Sequence, residues 1–191
     1  MIEILKKTIG KDINKMNALD LTLGTGGDTI ELSKIFKYLY AFEIEFKRCH
    51  IAKYNVFDVF KRDNVDIKCS SSIDIIQYMK KWLKYIGQEK IEFIYIDFPW
   101  GGKSYKKKTV IDTLYLENYS WNYLTNMKEK LIAKKIDIYE FINKVSNYSD
   151  FIGLKLPYNF NVNKLKTTYP KKNITVHQIS KSIIFIIINN S

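Results

Sequence analysis

The sequence predicts an α/β protein: a three-layer, Rossmann-like sandwich whose sheet is mostly parallel and ends in a C-terminal antiparallel hairpin. Three features predict this class. Short apolar runs alternate with segments of helical spacing, the pattern of parallel strands joined by crossover helices. Two β-type runs near the C-terminus are too close together for a crossover helix, so they pair antiparallel. A glycine-rich turn directly follows the first apolar run, at the position where doubly wound sheets bind ligands.

The predicted strands are short segments rich in branched and aromatic residues. Most of them are apolar almost without interruption, as expected of strands that helices cover on both faces. The six segments are Ala18–Leu23, Tyr38–Ile44, Ile91–Ile96, Phe151–Leu156, Ile174–Ile179 and Ser182–Asn189.

The predicted helices repeat apolar residues at spacings of three and four. They cover Asp28–Phe36, Lys47–Phe60, Asp74–Ile86 and Asn122–Val145. Gly101 to Trp121 is the least regular stretch, and within it Tyr119 and Trp121 are expected to be core residues or a second stacking surface. No repeat, low-complexity tract or linker interrupts the chain, so we expect a single domain over residues 1–191.

The charge balance favours a polyanionic partner. The chain has 31 Lys and Arg against 20 Asp and Glu, a formal net charge of +11, and a pI of about 9.4. Such an excess raises the local concentration of nucleic acid around a protein. Only Arg48 and Arg62 are arginines, however, and a chain rich in Lys, Ile and Asn also follows from an AT-rich coding genome. Charge alone leaves both interpretations open.

The termini and the cysteines bear on the compartment. The N-terminal residues carry charges where a secretory signal needs an apolar stretch. The most apolar run, Ile183–Ile188, is far shorter than the roughly 20 residues of a membrane-spanning helix. Cys49 and Cys69 make no disulfide framework, and two histidines offer little for a metal site. We therefore expect a soluble protein of a reducing compartment, cytoplasmic or nuclear, with no membrane partner and no metal.

The glycine turn reads D-L-T-L-G-T-G-G-D-T from Asp20 to Thr29. No G-K-[ST] follows it, so it is not a Walker loop, and its third glycine is misplaced for a dinucleotide fingerprint. A Gly-x-Gly-Gly turn with an acid four positions before its first glycine suits a nucleoside with a charged amino-acid tail. S-adenosylmethionine is such a ligand, and Asp20 is predicted to help hold its ammonium group.

An acidic residue follows the second predicted strand, in the segment A-F-E-I-E. Glu43 lies about 20 residues after the glycine turn, where a carboxylate accepts both ribose hydroxyls of an adenosine. Turn and acid together predict a nucleoside site with a free ribose diol.

The most informative motif is D-F-P-W-G-G, which begins with Asp97 at the end of a predicted strand. It resembles the [DNS]-P-P-[YFW] motif of class I S-adenosylmethionine-dependent methyltransferases that modify exocyclic amines of nucleobases. A carboxylate that accepts N–H bonds raises electron density on such an amine and orients it. The resemblance implies that Pro99 constrains the turn and that the Trp100 ring stacks on the base.

The W-G-G version narrows the resemblance to the trimethylguanosine synthase family, which methylates N2 of a 7-methylguanosine RNA cap. The matching segments are D-x-x-x-G-x-G-G-[ND]-T, P-W-G-G-x-x-Y, L-P-x-N, and the acidic strand end followed by a helix with Asn55. In this family a tryptophan stacks on the methylated guanine. A cationic purine favours tryptophan through cation–π attraction.

The motifs and the resemblance together imply three sets of site residues and no metal ligand. The donor S-adenosylmethionine is assigned to Asp20, Leu23, Gly24, Gly26, Thr29, Glu43, Ser71 and Asp97. The catalytic set is Asp97, Pro99 and Trp100. The capped 5′ end of an RNA is assigned to Trp100, Gly101, Lys106, Lys155 and Asn159.

Three departures from the family pattern keep alternatives open. Phe98 replaces a proline, Ser70–Ser72 stand where an acid commonly recognises the adenine amine, and Tyr158 replaces a phosphate-contacting arginine. The alternatives are an adenine-N6 or internal guanine-N2 methyltransferase, and a catalytically silent RNA-binding or stimulatory subunit of the same fold. Since few residues precede the first strand, a protein partner is also expected to replace the family's N-terminal extension.

Overall fold

The computed structural model describes residues 1–117, 120–122, 127–129 and 135–190. Its centre is a seven-stranded sheet in the order β6-β7-β5-β4-β1-β2-β3. Only β7 runs antiparallel to its neighbours; the other pairings are parallel. The strands are β1 (Asn17–Asp20), β2 (Tyr38–Phe42), β3 (Val65–Lys68), β4 (Ile91–Asp97), β5 (Ser149–Pro157), β6 (Asn173–Ser180) and β7 (Ile183–Asn189).

Seven α-helices surround the sheet within the described residues. They are α1 (Ile2–Ile9), α2 (Gly27–Leu32), α3 (Phe46–Lys53), α4 (Ser72–Gln77), α5 (Met79–Tyr85), α6 (Ile138–Val145) and α7 (Val162–Thr168). A π-helical turn, Tyr54–Val59, continues α3, and 3₁₀ turns occupy Lys11–Lys15, Gly102–Lys107 and Ser146–Tyr148. Two small antiparallel pairs join Tyr115–Glu117 to Lys135–Asp137 and Ser120–Asn122 to Met127–Glu129.

Strand β4 shows how the chain builds two cores from one sheet. Phe93 and Tyr95 face the cluster that includes Leu5 of α1 and Cys49 of α3. The alternate residues, such as Ile94, face a cluster with residues of α4, α5, α6 and α7. Because successive side chains of a strand point to opposite faces, a central strand between two helical layers is apolar throughout. The three-layer, mostly parallel sandwich predicted from the sequence is confirmed.

Strand β3 has no counterpart among the predicted strands. Val65 and Ile67 are buried, whereas Asp66 is half-buried and Lys68 is exposed. An edge strand pairs on one side only, and here it shows short alternation instead of a continuous apolar run.

The mainly helical structure predicted over Asn122–Val145 is correct for Ile138–Val145 and wrong for the rest of its described part, which is strand. The helix begins only at Ile138, because Asp137 caps it by accepting hydrogen bonds from the amides of Tyr139 (2.9 Å) and Glu140 (2.8 Å). Lys135–Asp137 is a strand, as is Met127–Glu129. Residues 123–126 and 130–134 lie outside the described part of the chain.

The cysteines form a disulfide that the sequence analysis did not predict. Cys49 of α3 and Cys69, which follows β3, are bonded, with their Cα atoms 5.5 Å apart. Crossover from β2 through α3 to β3 brings the two residues together although 20 positions separate them. The inference of a reducing compartment from unpaired cysteines therefore loses its basis. No helix in the described ranges has the length and apolarity needed to cross a membrane.

Candidate active site

The glycine turn joins β1 to α2 through two left-handed residues. Gly24 has φ of 57° and Gly26 has φ of 95°, a region that L side chains rarely adopt. A Cβ on Gly26 would lie 3.1 Å from a methyl carbon of Val56, so Gly26 also permits close packing on the π-helical turn. A Cβ on Gly27 would meet no atom within 4 Å. The turn therefore packs tightly at Gly26 and leaves open space above Gly27.

Asp20 lies under this turn and is completely buried. Its carboxylate accepts hydrogen bonds from the Thr22 amide (2.9 Å) and from the Thr29 hydroxyl (2.6 Å). Burial raises the pKa of Asp20 to about 7; the two hydrogen bonds oppose the rise, and the charges of Asp28 and Asp97 add to it. In this structure Asp20 holds the two ends of the turn together and is not exposed to solvent.

Glu43 follows β2 and connects that strand end to the glycine turn. One carboxylate oxygen accepts a hydrogen bond from the Gly24 amide (2.9 Å) and the other from the Glu45 amide (2.8 Å). The amide of Leu23 donates to the carbonyl of Phe42 at 3.0 Å. Each carboxylate oxygen has a second acceptor site. The strand end thus fixes the turn and presents Glu43 beside it, as the sequence spacing predicts.

The serine triplet surrounds the start of α4. The Ser71 hydroxyl accepts a hydrogen bond from the Asp74 amide at 3.4 Å, which caps the helix. The Ser72 hydroxyl donates to the carbonyl of Leu21, just before the glycine turn. Both serines therefore have structural roles here, next to the predicted nucleoside site.

The D-F-P-W-G-G motif leaves the sheet at the end of β4. The Asp97 amide donates to the Thr22 hydroxyl at 2.7 Å, which ties the motif to the glycine turn. Phe98 is buried edge-to-face against Phe141, with the ring centroids 5.5 Å apart. A large apolar side chain at this position fills the core, which explains why proline is not required there. Pro99 is exposed.

Trp100 is half-buried and contacts Tyr105. Its ring lies edge-to-face with Tyr105, the ring centroids 5.2 Å apart. The indole nitrogen is buried and has no hydrogen-bond partner among the described residues. Gly101 and Gly102 follow in left-handed conformations, with φ of 83° and 63°. Trp100 thus places its ring and its indole N–H close to Asp97.

Asn159 holds the segment that carries Lys106. The Asn159 amide nitrogen donates to the carbonyls of Tyr105 (3.0 Å) and Lys108 (2.7 Å), so it fixes the segment after the motif. The Asn159 side-chain oxygen is buried without a partner in the described part of the chain. Lys106 is exposed on the 3₁₀ turn. Tyr119 and the side chain of Trp121 lie outside the described residues.

A cluster that the sequence analysis did not predict joins these parts. One oxygen of Asp28 accepts hydrogen bonds from the Tyr95 hydroxyl (2.6 Å) and from the Lys155 ammonium (2.7 Å). The same ammonium lies 3.2 Å from an oxygen of Asp97. Lys155 therefore bridges two carboxylates and is directed toward them. The sequence signal was weak: Asp28 is the acid within G-G-D-T, but Lys155 lies 127 positions away.

The electrostatics of the cluster follow from its burial. Burial raises the pKa of Asp97 to about 6, whereas the charge and hydrogen bond of Lys155 oppose that rise. Asp28 adds to the rise, and the nearby Trp100 indole favours the charged form. Burial lowers the pKa of Lys155, but its contacts with Asp28 and Asp97 outweigh that effect and leave it raised.

The strand order and the glycine turn after β1 give this chain the fold of class I S-adenosylmethionine-dependent methyltransferases. An rRNA methylase of Streptococcus thermophilus shares the fold, at 12% identity, 92% coverage of this chain, 87% of that chain and a TM-score of 0.55. So does a candidate methyltransferase of Streptococcus mutans in complex with S-adenosylhomocysteine, at 14% identity, coverage of 91% and 88%, and a TM-score of 0.54. A precorrin-6y C5,15-methyltransferase of Geobacter metallireducens matches at 12% identity, coverage of 92% and 80%, and a TM-score of 0.53.

Within this class, the chain belongs to the RNA cap guanine-N2 methyltransferase family, whose model matches residues 15–190. The family predicted from the motifs is confirmed. The chain is also 24% identical over 181 residues to Uncharacterized protein L320 of Acanthamoeba polyphaga mimivirus. That match covers 95% of this chain and 61% of the relative, so the chain spans less than two thirds of that relative's length.

Proposed function

We propose that this protein transfers a methyl group from S-adenosylmethionine to the N2 amine of a 7-methylguanosine RNA cap. One observation carries the proposal: the Asp97 carboxylate and the Trp100 ring lie together at one strand end, beside the glycine turn. The family match over residues 15–190 supports the same acceptor.

The residues around the turn fit the methyl donor. The space above Gly27 is open, and Glu43 has acceptor capacity left for the ribose hydroxyls. Asp28 and Asp97 supply negative charge for the donor's cationic groups, while Asp20 holds the turn. When bound, S-adenosylmethionine supplies an activated methyl group on a sulfonium.

The acceptor residues act on the amine and the ring. The Asp97 carboxylate accepts an N–H of the exocyclic amine, which orients the nitrogen and raises its electron density. Its pKa of about 6 keeps it mostly ionised at neutral pH, so it also takes up the proton that the amine loses. Trp100 stacks on the cationic purine. Lys106 contacts the cap triphosphate, and Asn159 holds the segment that carries Tyr105 and Lys108 in place.

The first test separates donor binding from cap binding. S-adenosylhomocysteine is titrated calorimetrically into the purified protein, and 7-methylguanosine triphosphate is then added to the saturated protein. We expect both to bind, and we expect GTP, which lacks the positive charge, to bind more weakly. Trp100→Ala should weaken the methylated nucleotide about tenfold or more, since stacking contributes about 1–3 kcal/mol per base. Tyr85→Ala is the matched control, because that ring is 85% exposed.

A turnover assay then identifies the acceptor. Radiolabelled S-adenosylmethionine is supplied with capped RNA, uncapped RNA and adenine-containing RNA, and the labelled nucleoside is identified after digestion. Label in N2 of the cap guanine supports the proposal. Label in internal guanine or in N6 of adenine replaces it with one of the alternative nucleobase methyltransferases. Absence of S-adenosylhomocysteine binding at millimolar concentration instead supports the silent-subunit alternative.

A further inference from the structure

Lys155 and Asp97 are cross-strand neighbours at the carboxyl edge of the sheet. They are directly paired in the register of the parallel strands β4 and β5. Paired residues of neighbouring strands project to the same face, so the two side chains lie side by side. The sheet therefore places a cation next to the carboxylate to which we assign the acceptor amine.

The ammonium of Lys155 points toward two carboxylates and away from solvent. Its side chain is only 19% exposed, and its Nζ atom lies 2.7 Å from Asp28 and 3.2 Å from Asp97. A phosphate-contacting lysine presents its charge to solvent, whereas this lysine is enclosed by two carboxylates. The sequence-based role of Lys155 as a cap contact is therefore less well supported than a role toward Asp97.

Asp28 fixes the position of the lysine from the other side. The oxygen that accepts from Lys155 also accepts from the hydroxyl of Tyr95, at 2.6 Å. Tyr95 is a fully buried residue of β4, so it is a rigid support. A chain of three contacts thus runs from the sheet core through Asp28 and Lys155 to Asp97.

We propose that Lys155 is a positioning residue for the methyl transfer, which keeps the Asp97 carboxylate ionised and oriented toward the acceptor amine, with Asp28 and Tyr95 holding Lys155 in place. This inference rests on the proposed function. A protonated Asp97 would present an O–H where an acceptor is needed, because a neutral carboxyl group gains a donor and loses acceptor capacity. Lys155 opposes that protonation directly.

The charged and titratable groups that act on Asp97 come from every neighbouring element. Lys155 of β5 favours its ionised form, and Asp28 of α2 disfavours it, whereas the charge of Asp97 itself raises the pKa of Asp20 of β1. On its own chain segment, the Trp100 indole favours the ionised form, and Tyr95 is a buried neutral phenol. Among these described groups, Lys155 is the cation, so its removal has a predictable direction.

The test measures the Asp97 carboxyl directly in the ligand-free protein. Selective ¹³Cγ-aspartate labelling allows NMR titration, and Asp97→Asn assigns the signal. In the unaltered protein the midpoint is expected near pH 6. Lys155→Met should raise it by about one pH unit or more, and Lys155→Arg, which retains the charge, should leave it within about half a unit. Lys90→Met is the control, because Lys90 forms a comparable 2.6 Å ion pair with Asp150 at the other end of the strands.

The outcomes separate this inference from the proposed function. An unchanged midpoint in Lys155→Met, or an equal rise in Lys90→Met or in Lys155→Arg, would overturn the role of Lys155 whatever the enzyme methylates. If the midpoint rises as expected, the acid limb of the kcat–pH profile for cap methylation should move up by the same amount. A shifted midpoint without any methylation of the cap would leave the link between Lys155 and Asp97 intact and refute the cap substrate.

Discussion

Two aspartates of the site have raised pKa values for the same main reason, burial, but they differ in what surrounds them. Asp97 is next to the Lys155 ammonium, which opposes the rise. Asp20 has only hydrogen bonds from Thr22 and Thr29 to oppose it, and its pKa is about 7. Asp20 is therefore expected to titrate near neutral pH although its side chain is completely buried.

Asp20→Asn should change stability in a pH-dependent way. The pKa of Asp20 rises from 3.8 to about 7 on folding. Below pH 4 its contribution to stability is fully present, and it is lost as pH rises through 7, because the folded state holds the proton more tightly. Asparagine does not titrate. The free energy of unfolding of the variant, relative to that of the unaltered protein, should therefore increase between pH 4.5 and 8.

The gain is bounded at ~4 kcal/mol, taking about 1.4 kcal/mol for each pH unit between the two pKa values. Urea unfolding at the two pH values measures it. Titrations common to both proteins cancel in the difference. A difference between the two proteins that is the same at pH 4.5 and pH 8 would contradict the prediction.

At the scale of elements, the π-helical turn after α3 shapes the glycine turn. Widening of the helix at Tyr54–Val59 lets the Phe60 amide reach the carbonyl of Asn55 at 2.9 Å. Asn55 then donates to the carbonyl of Thr25 at 2.9 Å. Val56, the next residue, packs on Gly26. A local change in helix geometry thus sets the position of the turn at which the donor is expected to bind.

Gly26→Ala and Gly27→Ala should differ in their effects on the free energy of unfolding. Gly26→Ala should lower the free energy of unfolding by ~2–4 kcal/mol, because it combines a left-handed backbone with a contact on Val56. Gly27→Ala should leave it unchanged or raise it by up to ~1 kcal/mol, because alanine suits a helix and meets no atom.

Binding of the methyl donor, in contrast to stability, should be affected by the substitution at Gly27. If the donor lies above Gly27, the added methyl group of Gly27→Ala should weaken S-adenosylhomocysteine about tenfold in a calorimetric titration. Unimpaired binding by this stable variant would place the donor elsewhere. Gly26→Ala, one position earlier in the same turn, is the comparison variant, because its added methyl group is expected to act on stability.

At the scale of the whole molecule, the disulfide restricts the unfolded chain. It joins residues 20 positions apart, and closing a loop of that length stabilises a protein by ~3 kcal/mol in the chain-entropy description. Because the bond lies between α3 and the end of β3, it also supports the wall of the site next to Glu43 and the serine triplet.

Reduction should therefore lower the free energy of unfolding by ~3 kcal/mol. Urea unfolding with and without dithiothreitol measures the change. Dithiothreitol should have no effect on the double variant Cys49→Ala/Cys69→Ala, which serves as the control. Equal stability of the oxidised and reduced protein would show that the bond does not constrain the unfolded state.

The limits of sequence-based prediction can be seen in particular elements. The glycine turn, Glu43 and D-F-P-W-G-G are contiguous patterns, and each occupies the strand end that its sequence predicts. The edge strand β3 was missed because its alternation is short. The start of α6 was placed too early because helical spacing outweighed the capping signal of Asp137.

By itself, the sequence determined the fold class, the family and the order of the motifs along the sheet, because these depend on residues close together in the chain. Only the tertiary structure decided what the charged side chains do. Asp28 and Lys155 are 127 positions apart, and they meet because the sheet order places β5 next to β4 and β4 next to β1. The same order buries Asp20 and joins Cys49 to Cys69. Such contacts depend on strand order and burial, which no local pattern contains.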